Sequence, residues 1–210
     1  MSFIVKSTTL PGLFDLVSPH SCRGCGCLGV VLCECCKNDI LKHQQIHPPI
    51  YAVGEKNGVL ETLIHDFKYC SVRDLAKPLA ELIDRTLPKD LPQNSIIVPL
   101  PTATRHVRAR GLDHTYLIGK HLAKMRHFTL KRAILRDKNT VQVGSDRATR
   151  IAQASSAYTI NSHIKINPNA TYILLDDVWT TGASIKAAEK ILKDAGAQNI
   201  IVALLTYSSY

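Results

Sequence analysis

Two adjacent carboxylates followed by a hydroxyl-rich turn form the most chemically informative stretch of this sequence. Asp176 and Asp177 stand at the end of the apolar run Tyr172–Leu175, which is typical of a buried parallel strand. A polar turn, Thr180–Gly182, comes next, and the apolar spacing from Ser184 onward predicts a helix. Because ligands of open parallel sheets bind beyond the carboxyl ends of strands, this stretch is a candidate ligand site.

The turn and the acids suit different parts of a phosphorylated sugar. Backbone N–H groups and hydroxyls of the turn can bind a phosphate in front of the helix dipole, and the residues concerned are Thr180, Thr181, Gly182, Ala183 and Ser184. The two carboxylates suit a sugar diol, because they can accept hydrogen bonds from its two hydroxyls, or a metal bound through water. The plain alternative is a buried strand that ends in two solvated acids before an ordinary helix.

The thirteen residues from Ile173 to Ile185 closely resemble the phosphoribosyl-pyrophosphate (PRPP) motif of type I phosphoribosyltransferases. The resemblance implies that Asp176 and Asp177 hold the ribose hydroxyls, that the Thr180–Ser184 loop binds the 5′-phosphate, and that Mg²⁺ holds the diphosphate. It also implies an α/β fold of the type I phosphoribosyltransferase kind, a parallel sheet flanked by helices.

A second strand, Ile96–Val98, is predicted to end at the same crevice. It runs into a rigid proline-containing loop, and the family resemblance assigns the pyrophosphate side of the site to Pro99, Leu100, Pro101 and Arg105. The guanidinium forks of Arg105, Arg108 and Arg110 suit a diphosphate. Arg108 and Arg110 fit a solvated loop as the alternative.

The net charge of +9 is concentrated in one third of the chain. Three Asp between Thr102 and Arg150 are outnumbered by Arg105, Arg108, Arg110, Lys120, Lys124, Arg126, Lys131, Arg132, Arg136, Lys138, Arg147 and Arg150. Clustered Lys and Arg neutralise phosphates, so this excess indicates a polyanionic partner such as single-stranded DNA. A basic surface that only aids solubility is the alternative. The polar stretch 137–156, which overlaps the end of this basic third, is interpreted as a mobile loop entering a helix.

Two CxxC pairs near the N-terminus indicate a metal site. Cys22 and Cys25, with Cys33 and Cys36, present four thiolates, which satisfy zinc in a closed structural site. Cys27 and Cys35 are spare thiols that leave the choice of ligands ambiguous. An iron–sulfur centre is a minor competitor, and free or redox-active thiols are the remaining alternative.

Length and composition bound the architecture. The chain has 210 residues, 45% of them hydrophobic, which favours one domain with a small appendage: an N-terminal helix and cysteine knuckle over 1–47, and a phosphoribosyltransferase-like domain over 48–210. No apolar run approaches a membrane span and no signal peptide is recognised, so a cytoplasmic protein without membrane insertion is expected.

Apolar spacing predicts most of the remaining elements. Helices are expected over 59–68, over 74–86 and up to Met125, and strands over 50–53, 133–136, 157–160 and 200–205. Lys68 closes the first of these helices. A contact with the helix dipole is slightly favoured for it over a contact with a phosphate.

The order of these motifs resembles the ComF family of late competence proteins. The shared pieces are the paired CxxC, Leu63–Tyr69, Val98–Leu100, Arg110–Leu112, Gln142 with Gly144 and Arg150, and the PRPP motif. The chain departs from the family where Asp113 and His114 replace an Asn-Gln pair, where Gln153 replaces an Asn, and where Ser156–Tyr158 replaces Gly-Ala-Phe.

The ComF resemblance implies a protein that binds PRPP or a related nucleotide with Mg²⁺ and assists single-stranded DNA handling in natural transformation. It implies other competence proteins as partners, such as a helicase or a DNA-processing factor. Two alternatives stay open: an active phosphoribosyltransferase with an unidentified acceptor, and a PRPP-sensing regulator that binds nucleic acid.

Overall fold

The computed structural model describes residues 21–70, 72–102, 107, 111–136 and 158–207. Some expectations fall outside these ranges. They are the N-terminal helix before Ser21, the loop 137–156, and the arginines expected to bind anions, namely Arg105, Arg108, Arg110, Arg147 and Arg150.

The described residues build a six-stranded sheet and a separate two-stranded sheet. The strands are β1 (Gln45–His47), β2 (Ile50–Gly54), β3 (Ile96–Pro99), β4 (Thr129–Leu130), β5 (Ile134–Arg136), β6 (Tyr158–Ile160), β7 (Thr171–Trp179) and β8 (Asn199–Tyr207). The large sheet has the order β1-β2-β8-β7-β3-β4 and is parallel apart from β1, which pairs antiparallel with β2. β5 and β6 form the antiparallel pair.

Five α-helices accompany these strands in the described ranges. They are α1 (Glu34–Leu41), α2 (Gly58–Tyr69), α3 (Ala76–Thr86), α4 (His114–Arg126) and α5 (Ala183–Asp194). None of these helices is long and apolar enough to cross a lipid bilayer.

The alternation of side chains along β7 divides the core into two layers. Ile173 and Leu175 pack on one face of the sheet with residues of α2, α3 and α4, and the knuckle residues Cys22 and Leu32 join that layer. On the other face, buried apolar residues of the sheet pack against α5 and the β5–β6 pair. Successive strand residues point to opposite faces, so β7 supplies both layers.

The predicted fold class is confirmed: a mostly parallel sheet flanked by helices, with a cysteine cluster ahead of it. The central strand is longer than its apolar run suggests, because β7 stays paired with β8 as far as Trp179 and Tyr207. As a result Asp176 and Asp177 lie within the strand rather than after it. The division of the chain into 1–47 and 48–210 stays a prediction.

Candidate functional site

The acid pair lies near the carboxyl end of β7, in the middle of the sheet. The backbone N–H of Asp177 donates to Oδ1 of Asp176 over 2.8 Å. Burial and, after it, the charge of Asp177 raise the pKa of Asp176 to about 8, against the opposing effects of that N–H bond, Lys68 and Arg136. The two carboxylates therefore do not share one environment.

Asp177 has its own cationic partner. The ammonium of Lys68, at the end of α2, contacts Oδ2 of Asp177, and the side chains are only 15% and 21% exposed. The Thr206 hydroxyl on β8 also donates to the Asp177 carbonyl over 3.5 Å. The sequence favours a contact of Lys68 with the dipole of its own helix, but in the structure the main partner of Lys68 is Asp177.

A tyrosine and an arginine from the small sheet stand beside Asp176. Arg136 lies with its guanidinium carbon 5.5 Å from the centre of the Tyr158 ring, and its Nη1 donates to the Tyr158 hydroxyl over 3.5 Å. Burial raises the pKa of Tyr158, and the charge of Asp176 raises it further, while a hydrogen bond with Ser184 lowers it. This bond links the small sheet to the predicted phosphate loop.

The predicted phosphate loop ends β7 and begins α5. Gly182 is the N-cap residue, with φ +69° in the left-handed region that favours glycine. A Cβ at Gly182 would lie 2.2 Å from the Trp179 ring, which in turn packs 5.5 Å from the Tyr207 ring. The backbone N–H of Ala183 donates to the Thr181 hydroxyl over 3.4 Å. The first turn of this helix offers its remaining N–H groups to an anion.

The proline-containing loop stands next to the acid pair, as expected for two neighbouring strands. Pro99 is in register with Leu175, and the N–H of Leu100 donates to the Leu175 carbonyl over 2.8 Å. The hydroxyl of Thr115 on α4 donates to the Leu100 carbonyl over 2.7 Å. The start of the Pro99–Pro101 loop is thus fixed beside the residue that precedes Asp176, whereas Arg105 lies outside the described residues.

The two departures from the ComF pattern at the start of α4 have structural roles. Asp113 caps the helix by accepting from the Tyr116 N–H over 3.3 Å. His114 is 2% exposed, and its Nε2 donates to the Phe67 carbonyl over 2.9 Å. The Phe67 ring meets the imidazole edge-on at 4.8 Å. In this chain Asp113 caps α4, and His114 joins α4 to the end of α2.

The cysteine knuckle gathers its sulfurs tightly. The thiol sulfurs of four cysteines lie within 4.8 Å of one another: Cys22, Cys25, Cys27 and Cys33. The sulfurs of Cys25 and Cys33 are 3.6 Å apart, close to the roughly 3.8 Å edge of a tetrahedron with zinc–sulfur bonds of about 2.3 Å. These cysteines are close enough to bind a structural metal such as zinc.

Cys36 borders the same cluster. A Cβ added at Gly24 would lie 2.6 Å from the Cys36 sulfur, so this sulfur is close to the Gly24 backbone. The Cys36 thiol also interacts with Cys33, Cys22 and Cys25. Five sulfurs therefore surround one place, and the predicted set of Cys22, Cys25, Cys33 and Cys36 stays a prediction. The competing fourth ligand is Cys27, and Cys35 is exposed.

Backbone donors prepare the knuckle for negative sulfur. The N–H groups of Gly24 and Cys33 donate to the Cys22 sulfur over 3.4 and 3.3 Å. Burial raises the pKa of Cys22, but backbone hydrogen bonds from Cys25, Cys33 and Gly24 outweigh it and lower the value to about 6. The Cys36 N–H similarly lowers the pKa of Cys33. A metal that binds thiolates fits such an environment.

Three residues beside the acid pair were not assigned to it by sequence reasoning. For Lys68 the sequence favours a contact with the helix dipole, whereas the structure pairs it with Asp177. Its position in the last turn of an amphipathic helix is the signal that could indicate a role at the site. Arg136 and Tyr158 belong to short strands with no distinctive spacing. Their pairing across the β5–β6 sheet brings them to Asp176, and no local pattern encodes that approach.

Comparison with known proteins gives one distant relative. No protein-family model matches the chain. The chain is similar to competence protein ComFC of Bacillus subtilis (strain 168), with 23% identity over 141 residues, which is 67% of this chain and 56% of the relative. The chain thus matches little more than half the length of that relative. Together with the cysteine cluster, this similarity confirms the resemblance to the ComF family that the motifs indicate.

Proposed function

We propose that this protein binds PRPP or a related nucleotide with Mg²⁺ and assists the handling of single-stranded DNA in natural transformation. The observation that carries the proposal is the acid pair on β7, which stands directly before a glycine-capped phosphate loop and beside Pro99–Leu100. The name of the relative, a competence protein, supports the biological setting.

In the proposed complex each part of the site has one task. Asp176 and Asp177 accept the ribose hydroxyls, and the loop from Thr180 to Ser184 binds the 5′-phosphate. The Pro99–Pro101 loop takes the diphosphate side, with Arg105 expected nearby. Mg²⁺, when bound with PRPP, neutralises the diphosphate.

Calorimetric titration of PRPP in Mg²⁺ tests the ligand. We expect binding by the natural protein, and a loss of at least tenfold in affinity for Asp176→Asn with Asp177→Asn, because a ribose hydroxyl then loses a charged acceptor. Glu189→Gln on the exposed side of α5 is the matched control, since its carboxylate pairs with Lys193. Equal affinity in the control and the double variant refutes the assignment.

The proposed binding of DNA rests on charge. The arginines that would supply it are Arg105, Arg108, Arg110, Arg147 and Arg150. Each arginine that no longer neutralises a phosphate of single-stranded DNA reduces the slope of log affinity against log salt by roughly 0.7. Replacing Arg105, Arg108 and Arg110 by Ala should therefore weaken binding of an oligonucleotide and flatten that slope by about 2. An unchanged slope in a fluorescence anisotropy series rules these three residues out.

Transfer of ribose 5-phosphate to an acceptor is the second candidate function. The observation that favours it is the presence of Lys68 and Arg136 beside the acid pair, because a departing diphosphate needs positive charge around it. Pyrophosphate release in the presence of bases, nucleosides or single-stranded DNA tests it. Release that depends on one of these acceptors, and that is lost with Asp176→Asn and Asp177→Asn, supports an enzyme.

A further inference from the structure

Lys68 is the residue that connects a helix of one layer to the acid pair on the sheet. It belongs to the last turn of α2, where a lysine ordinarily extends into solvent and favours the helix dipole. Here its side chain is only 15% exposed and its ammonium contacts Asp177 Oδ2. A lysine gives up hydration and rotamer freedom to be held in this way.

The end of α2 is fixed from behind. The Phe67 carbonyl, next in the chain to Lys68, accepts from the buried His114 over 2.9 Å. Phe67 is itself 1% exposed, and the Cys70 N–H closes the helix on the Asp66 carbonyl over 3.0 Å. The ammonium of Lys68 therefore starts from a rigid backbone that is held by α4.

The charge pattern gives Lys68 a purpose. Two adjacent carboxylates repel a sugar that carries a phosphate and a diphosphate, yet both are wanted as acceptors for the ribose hydroxyls. Without a cation nearby, such a pair also attracts divalent metal ions on its own. An ammonium on Asp177 reduces both effects and leaves Asp177 in one orientation.

We propose that Lys68 is a positioning residue of the sugar-phosphate site, which holds Asp177 in place for a ribose hydroxyl and keeps divalent cations off the acid pair. This inference rests on the proposed binding of PRPP. It adds a residue to the site, and it explains why the end of α2 is locked to α4 through His114.

The proposal predicts two opposite effects of Lys68→Met, which removes the charge and retains an unbranched side chain. Binding of ribose 5-phosphate should weaken about tenfold or more, because Asp177 loses its orientation and its counter-charge. Binding of Mn²⁺ by the free protein should strengthen about tenfold, because the Asp177 carboxylate then has no ammonium on it. A merely structural lysine would change both affinities in the same direction.

The experiment uses the zinc-loaded full chain, with Mn²⁺ followed by electron paramagnetic resonance and ribose 5-phosphate by calorimetry. Lys190→Met is the matched control, since this exposed lysine pairs with Asp194 over 2.7 Å on the far part of α5. Lys68→Arg, which keeps the charge, should still exclude Mn²⁺. Adding Asp177→Asn to Lys68→Met should abolish the gain in Mn²⁺ affinity if that gain arises at the acid pair.

The outcomes separate the two proposals. If the natural protein binds neither PRPP nor ribose 5-phosphate, the proposed function fails, and the Mn²⁺ titrations alone decide the role of Lys68. If Lys68→Met matches Lys190→Met in Mn²⁺ affinity, the role assigned to Lys68 is overturned. If Lys68→Met lowers both affinities together with the melting temperature, the lysine is structural and the proposal is again overturned.

Discussion

The knuckle and the acid-pair crevice both crowd groups that become negative, and they resolve the crowding in opposite ways. In the knuckle, the backbone N–H groups of Gly24 and Cys33 point at the Cys22 sulfur and stabilise its thiolate. In the crevice, Lys68 contacts Asp177, and Arg136 stands close enough to lower the pKa of Asp176. The knuckle is arranged for an external cation, whereas the crevice carries its own.

This difference matches the roles proposed for the two regions, a structural metal site and a sugar-phosphate site. A closed tetrahedral metal site contributes its binding energy to folding, so it needs no internal counter-charge. A site that receives and releases a polyanionic sugar has to remain folded when empty, and a resident lysine allows this. The comparison can be tested by removing the knuckle metal and the Lys68 ammonium in turn and measuring which part of the molecule loses stability or ligand affinity.

The largest expected effect is the loss of metal from the knuckle. We predict about one zinc per chain, and structural zinc contributes on the order of 10 kcal/mol to the folding of such segments. A strong chelator should therefore unfold residues 21–42, which hydrogen exchange detects, and should leave the sheet folded. Purified protein without zinc or iron by elemental analysis contradicts the site.

Serine replacements identify the fourth ligand. Cys22→Ser, Cys25→Ser and Cys33→Ser should each remove the metal, and Cys35→Ser should retain it. From the spacing of the two CxxC pairs we expect Cys36→Ser to remove it and Cys27→Ser to retain it. The reverse result assigns Cys27, whose sulfur lies within 4.8 Å of the same three.

A smaller effect is expected at the contact between two other regions, the knuckle helix α1 and the helix α3. Lys37 on α1 is 8% exposed and contacts Glu81 on α3, and its Nζ lies 2.6 Å from Glu34. The glutamates left behind are 61% and 24% exposed, so Lys37→Met should lower the free energy of unfolding by about 2–4 kcal/mol, less than when a fully buried pair loses one partner. Lys42→Met, which breaks an exposed pair with Asp39, should cost about 0–1 kcal/mol in the same urea titration. Similar losses would mean that Lys37 does not link the regions.

What can be predicted from the sequence depends on whether a feature is formed by neighbouring residues or by residues far apart in the chain. The strand, the turn and the helix around Asp176 are encoded within thirteen residues, and the structure reproduces them, with the acid pair inside the strand rather than after it. The contact of Lys68 with Asp177 joins segments far apart in the chain, and α1 has too weak a pattern to be predicted from spacing. Short strands such as β1 and β4 exist because a neighbouring strand is available to pair with them.

Gly182 tests whether the phosphate loop is shaped by sterics. Alanine there would require a positive φ and would place a Cβ 2.2 Å from the Trp179 ring, so we expect a loss of about 2–4 kcal/mol in stability. Gly196 has φ +105° but nothing within 4 Å of its Cβ position. Gly196→Ala should therefore cost only about 1–2 kcal/mol. Equal losses in thermal unfolding would mean that Trp179 does not constrain the loop.

The last expected effect, a dependence of stability on pH, distinguishes Asp176 from its neighbour. The pKa of Asp176 is raised to about 8 in the folded protein and lies near 4 in the unfolded chain. Between about pH 4 and pH 8 the folded protein therefore holds a proton on Asp176 that the unfolded chain releases. The contribution of this residue to stability is thus greatest below pH 4 and is lost as the pH rises towards 8.

Asp176→Asn removes that titration while nearly preserving the shape of the side chain. Below pH 4 the variant and the natural protein should have similar free energies of unfolding, since Asp176 is neutral in both states. As the pH rises to 7 the variant should become the more stable by up to about 4 kcal/mol, since the natural chain gains by ionising on unfolding. Urea titrations at several pH values measure this difference. If it does not grow with pH, Asp176 is ionised in the folded protein, and the crevice then neutralises both acids rather than Asp177 alone.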